Sequence, residues 1–109
     1  MATVNEWDEQ TFAELKNKGV VVADFYAVWC GPCRMMSGIL ENAMAEFSSE
    51  QVKVGKLNIE KCRNLATEYN IRTIPTFIIF KDGNIHSKHI GVLGQKMLAE
   101  AVRKALARP

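Results

Sequence analysis

The nine residues Val20-Val21-Val22-Ala23-Asp24-Phe25-Tyr26-Ala27-Val28 are almost all apolar, and three β-branched residues open the run. Its length and branching favour a strand over a helix. A strand that is apolar at consecutive positions has no wet face, so it belongs inside a sheet covered on both sides. Helices are the natural covers. The run leads through Trp29 into Cys30-Gly31-Pro32-Cys33, and helical spacing follows at once. Met35, Met36, Ile39, Leu40, Ala43, Met44 and Phe47 recur at that spacing, which reads as core packing. Two cysteines therefore stand at a strand-to-helix junction, where a disulfide can open and close with little backbone movement.

The other segments fit the same plan. Asp8 to Lys18 reads as a helix ended by Gly19, Val52 to Ile59 as a second buried strand, and Lys61 to Tyr69 as a short helix. Thr76 to Phe80 is a third strand, and Asp82-Gly83 is a hairpin signal that turns Asn84 to Ile90 back antiparallel. Gln95 to Leu106 is a closing helix, with its core face on Leu98, Ala101, Val102, Ala105 and Leu106. The predicted class is α/β: a mixed sheet of four to five strands with helices on both faces, in one domain spanning 1–109.

A chain of 109 residues buries somewhat over ~60% of its unfolded surface, so its core does not depend on cross-links. Three cysteines do not make a disulfide scaffold. A Cys30–Cys33 bridge closes so small a loop that it contributes roughly 2 kcal/mol on chain-entropy grounds. A redox centre is the better reading than a staple.

Charge excludes some partners. Fourteen basic and 12 acidic residues leave a net charge of +2, which is no footprint for nucleic acid or an anionic membrane. No apolar run approaches the ~18 residues of a membrane span. Met1 to Asp8 carries no basic segment followed by an apolar one, the pattern of a secretory signal. A cytoplasmic monomer without nucleic-acid or membrane partners is expected.

A reactive dithiol needs one low-pKa thiolate to attack and a second thiol to resolve. Cys30 falls where the second helix begins, and the unpaired N–H groups and dipole of a helix start favour an anion there. Pro32 suits the first turn, where its missing donor costs nothing, and Gly31 lets another backbone approach closely. Cys33 lies one turn in, on the same face. Cys30 is then the exposed nucleophile and Cys33 the sheltered resolver. The competing use is zinc, with Cys62, His86 and His89 as the only further candidate ligands; a regular strand would point His86 and His89 to opposite faces. Asp24, set within the apolar run, reads as a buried carboxylate whose pKa is raised by desolvation. Lys56 shares strand parity with Val52 and Val54 and could lean inward toward it; a solvated lysine is the alternative.

The segment Asp24-Phe25-Tyr26-Ala27-Val28-Trp29-Cys30-Gly31-Pro32-Cys33-Arg34-Met35 resembles the active-site signature of the thioredoxin family. Lys56-Leu57-Asn58-Ile59, Tyr69-Asn70-Ile71-Arg72-Thr73-Ile74-Pro75-Thr76, Phe80-Lys81-Asp82-Gly83 and Gly91 match the family in order and spacing. The likeness covers essentially the whole chain. It implies the thioredoxin fold and a general protein-disulfide reductase that contributes to cell redox homeostasis. It implies a redox-active Cys30–Cys33 disulfide tuned by Gly31, Pro32 and Lys56, with Asp24 taking the Cys33 proton. It implies a cis Ile74–Pro75 bond and an apolar substrate rim of Trp29, Ile74, Pro75, Gly91 and Val92. No bound metal or cofactor is called for. Electrons come from NADPH only indirectly, through a thioredoxin reductase, and pass to disulfide-containing client proteins.

Two features depart from the pattern. Gly38, after Ser37, stands where the family usually has a helix-bending Pro, and Cys62 is an extra thiol that reads as a small half-buried residue at a helix start. Two rivals share the fold: a disulfide oxidase or isomerase, which Gly31-Pro32 argues against, and a binding subunit with an incidental dithiol.

Overall fold

The computed structural model describes residues 1–107; the last two residues of the expected 1–109 domain lie outside the described residues. The elements are β1 (Val4–Glu6), α1 (Glu9–Leu15), β2 (Val20–Tyr26), α2 (Gly31–Met44), β3 (Val52–Asn58), α3 (Arg63–Glu68), β4 (Thr76–Lys81), β5 (Asn84–Ile90) and α4 (Gln95–Ala107). They build a five-stranded mixed sheet in the order β1-β3-β2-β4-β5. β3 runs parallel to both β1 and β2, while β4 runs antiparallel to β2 and β5.

The apolar run forms the central strand, as its lack of a wet face demands. Alternate residues sort onto two cores because strand side chains alternate sides. Val20, Val22, Phe77 and Ile79 pack with Met36, Leu40 and Met44 of α2 and Leu98, Val102 and Ala105 of α4. Val21, Ala23, Phe25, Ile78 and Phe80 pack on the other face with Phe12 and Leu65. Phe12, Tyr69 and Phe80 meet edge to face there, with ring centroids 5.4–5.9 Å apart. The short β1 is a strand the sequence pattern does not announce: three half-wet residues carry no usable alternation. It is held by pairing Val4, Asn5 and Glu6 with Val54, Gly55 and Lys56. Just beyond it, the Trp7 N–H donates to the Lys56 carbonyl at 2.9 Å, and the indole lies over Gly55 so closely that a Cβ there would overlap the ring.

The Asp82-Gly83 turn has positive φ at both residues, 49° and 88°, the backbone a two-residue hairpin of matching twist requires. Asp82 also docks it: its N–H donates to the Gly19 carbonyl, and its carboxylate accepts the Gly19 N–H at 2.8 Å. β5 departs from a regular strand. Ile79 pairs with Ser87 but Phe80 with Ile85, which leaves His86 as an extra residue in a β-bulge.

Candidate active site

β2 ends at Tyr26, and Ala27 to Trp29 carry the chain over the end of the sheet. The Cys30 N–H donates to the Ala27 carbonyl at 3.2 Å and tightens this turn. Cys30 is the N-cap of α2, with φ −91° and ψ 112°, and its sulfur accepts the Cys33 N–H at 3.2 Å. A helix start thus turns one of its unpaired donors onto the sulfur. Pro32 falls in the first turn. Cys30 and Cys33 are joined as a disulfide, with Cα atoms 5.2 Å apart.

The expected contrast between an exposed Cys30 and a sheltered Cys33 is not what the oxidised pair presents. Cys30 retains 5% of its surface and Cys33 2%. Ala27 shares their cluster, and Tyr26, Ile59 and Ile74 pack against it. The Cys30 sulfur also lies 4.0 Å from the Ile74 carbonyl oxygen. Burial of both sulfurs follows from that packing, and only the order of exposure matches the expectation.

Ile74 and Pro75 reach the dithiol from 44 residues away, and their peptide bond is cis. Among the described residues, neither the N–H nor the carbonyl of Ile74 takes a backbone partner. Gly91 closes the far side: its N–H donates to the Pro75 carbonyl at 2.8 Å, and its φ of +91° favours glycine. Trp29 is 64% exposed beside the pair, and Val92 is exposed next to Gly91. The structure thus brings Trp29, Ile74, Pro75, Gly91 and Val92 to one side of the dithiol, with Pro75 itself buried. Three further apolar residues are exposed nearby: Val28 and Met35 flank the dithiol in the chain, and Ile90 pairs with Thr76 next to Pro75. Met35 departs from the expected core stripe: α2 buries Met36, Leu40, Ala43 and Met44 but leaves Met35 56% exposed. The Arg34 guanidinium donates to the Val28 carbonyl at 2.9 Å and straps the loop to the helix.

Asp24 is fully buried on the α2 face of the sheet, in register with Lys56 of β3 and Phe77 of β4. Neither carboxylate oxygen has a hydrogen-bond partner. Burial pushes its carboxyl up to about 7, against a smaller downward pull from Lys56. Lys56 does lean to the same face, but among the described residues it forms no ion pair with Asp24. The Lys56 ammonium instead donates to the Ser37 hydroxyl at 2.8 Å and sits 4.4 Å from the centre of the Tyr26 ring. The Tyr26 hydroxyl in turn donates to Glu6 at 2.8 Å. Cys33, Ser37, Lys56 and Tyr26 line a cleft of about 260 Å³ that also borders Val28 and Arg34.

The zinc candidates are dispersed. Cys62 is buried in the other core, its thiol directed at the Trp7 carbonyl 3.9 Å away, and burial raises its pKa. It is fully buried, not half-buried as its sequence position suggested. The bulge at His86 breaks the two-residue alternation, so His86 and His89 do not point to opposite faces. Both line a groove between β5 and α4 that includes neither active-site cysteine. Among the described residues no group of three or more His, Cys, Asp or Glu is placed to hold a metal, and no helix is long and apolar enough to cross a membrane.

Comparison with known proteins agrees with this geometry. A family model described as Thioredoxin matches residues 2–104. The thioredoxin of Chlamydia pneumoniae is 40% identical over 95 residues, 87% of this chain and 91% of that protein. The thioredoxin of Bacillus subtilis (strain 168) is 36% identical over 106 residues, covering 97% of this chain and 100% of the relative. Among solved structures, Malassezia sympodialis thioredoxin (Mala s 13) superposes with a TM-score of 0.85 at 29% identity, over 98% of this chain and 94% of that one.

Proposed function

The chain belongs to the thioredoxin family and is a thiol–disulfide oxidoreductase of disulfide-bearing proteins, and from that premise we propose how its residues divide the work. The Cys30 thiolate attacks a client disulfide; that S–S bond breaks, a client thiolate leaves, and a Cys30–client mixed disulfide forms. Cys33 gives its proton to the Asp24 carboxylate and attacks the Cys30 sulfur. The mixed disulfide breaks, the second client sulfur leaves as a thiolate, the Cys30–Cys33 disulfide forms, and two electrons have moved from the dithiol to the client. No bound cofactor enters either step.

One pairing of features carries this reading: a cysteine sulfur accepts a helix-start N–H, and the strand that leads into it holds a buried carboxylate without a partner. The first favours a thiolate at Cys30. The second keeps a base whose affinity for a proton suits neutral pH. Lys56 tunes that base through its charge, and Gly31 and Pro32 set the turn that presents Cys30. Trp29, Ile74, Pro75, Gly91 and Val92 hold an extended client segment, with the unpaired Ile74 backbone groups offering strand-like hydrogen bonds.

A thioredoxin reductase fed by NADPH returns the electrons. The protein works as a monomer in the cytoplasm, where thiols are kept reduced. Reduction of insulin by dithiothreitol tests the assignment. The chain accelerates precipitation of the insulin B chain, and Cys30→Ser does not; equal rates for the two would refute it. Equilibration with glutathione separates a reductase from an oxidase of the same fold, since an oxidising potential well above the cytosolic poise contradicts the reducing role.

A further inference from the structure

We propose that Ser37 is a positioning residue of this exchange site: its hydroxyl anchors the Lys56 ammonium beside Cys33 and so keeps that charge off the Asp24 carboxylate. The inference rests on Asp24 as the acceptor of the Cys33 proton.

The geometry is a choice between two partners. Asp24 and Lys56 are register neighbours on β2 and β3, with both side chains toward α2. A flexible lysine beside a buried carboxylate would ordinarily close on it, since an ion pair relieves the desolvation of both. Here it does not: the carboxylate oxygens stay unpartnered, and Lys56 is held at 2.8 Å by Ser37, one turn beyond Cys33 on α2. The Ser37 hydroxyl itself faces the Cys33 carbonyl, 3.5 Å away. The Tyr26 ring under the ammonium and the Tyr26–Glu6 hydrogen bond close the other side of the lysine.

The groups that act on Asp24 can be named from each element around it. Lys56 comes from β3 and Glu6 from β1, and these are its two charged influences. On α2, Ser37 holds the lysine and Arg34 is occupied by the Val28 carbonyl. β4 places Phe77 opposite, which is neutral. Lys56 is thus the one cation acting on the carboxylate, and Ser37 decides where it sits. An opposite charge brought within ~4–6 Å lowers a carboxyl pKa by about 1–3 units. A base lowered that far would stay ionised at neutral pH but would draw the Cys33 proton less strongly.

The test is a pH titration of the Asp24 carboxyl carbon by NMR in the reduced protein. It is paired with the pH profile of client release from a preformed Cys30 mixed disulfide. In Ser37→Ala the Asp24 midpoint falls by roughly one unit, and the release profile shifts to lower pH with it. Ser37→Thr restores both, because the hydroxyl survives. In a Lys56→Met background Ser37→Ala moves neither, because Ser37 acts through the lysine. An unmoved midpoint in Ser37→Ala, or an equal shift in the Lys56→Met background, overturns the proposal. A midpoint that falls while the release profile stays put supports the positioning role of Ser37 and overturns Asp24 as proton acceptor.

Discussion

Asp24 and Lys56 lie side by side across β2 and β3, yet the lysine donates to Ser37 and the carboxylate to which it is nearest in register accepts nothing. An unpaired carboxyl group in a core is a cost to the folded chain, and a much larger one when it is ionised.

That cost has a pH signature. Burial pushes the Asp24 carboxyl up to about 7 in the folded chain, from an ordinary value of 3.8. Between those values the folded state still holds a proton that the unfolded chain has released. Stability from this group is therefore greatest below about pH 4 and declines as pH rises to about 7. It levels off above that, the total loss being about 4 kcal/mol. Asp24→Asn removes the titration. Urea unfolding between pH 4 and 8 should show a steep decline in the native chain that is largely missing in the variant; parallel curves would contradict it.

The order of the cysteines predicts a trap. Cys33→Ser leaves the first attack intact and removes the second, so covalent client adducts accumulate at Cys30. Cys30→Ser accumulates none. Mass spectrometry of the purified adducts locates the bond; adducts at Cys33 or Cys62 would reverse the assignment. Cys62, buried and with its thiol pKa raised, stays unlabelled by iodoacetamide in the folded, reduced protein.

Gly55 has no room for a side chain, because a Cβ would overlap the Trp7 indole. Gly55→Ala should cost about 1–3 kcal/mol, the usual penalty of overpacking. Paired with Trp7→Leu, the cost should be less than the sum of the two, since the clash disappears with the indole. Thermal melts of the four proteins check this, and strict additivity would mean the ring is not the obstacle.

Gly38 is the reverse case. It is exposed within a continuous α2, and a Cβ there meets nothing within 4 Å. Gly38→Ala should stabilise the chain by up to ~1 kcal/mol through helix propensity alone, with insulin reduction unchanged. A lower melting temperature would show that the helix needs the glycine's freedom.

Much of the fold was legible because it depends on local repetition. An unbroken apolar run has to be a central strand, helical spacing after Cys33 has to place a helix beneath the sheet's end, and Asp82-Gly83 has to turn. The dithiol, the buried Asp24 and the helix start at Cys30 follow from residues within ten positions of one another, where backbone geometry alone fixes relative placement. The family likeness supplied the distant partners, Ile74, Pro75 and Gly91.

What only the tertiary structure decided are the choices between partners. Parity allowed Lys56 to lean inward without deciding it, and whether it pairs with Asp24 or with Ser37 depends on how far α2 stands from β3, which no periodicity encodes. The bulge that brings His86 and His89 to one groove depends on how β5 is drawn along β4. β1 exists because β3 offers it an edge. A sequence determines which face a side chain takes, since that is set by the backbone repeat; the packing of separate elements determines which neighbour it meets there, and at Asp24 that packing buries the carboxylate and so raises its affinity for the proton.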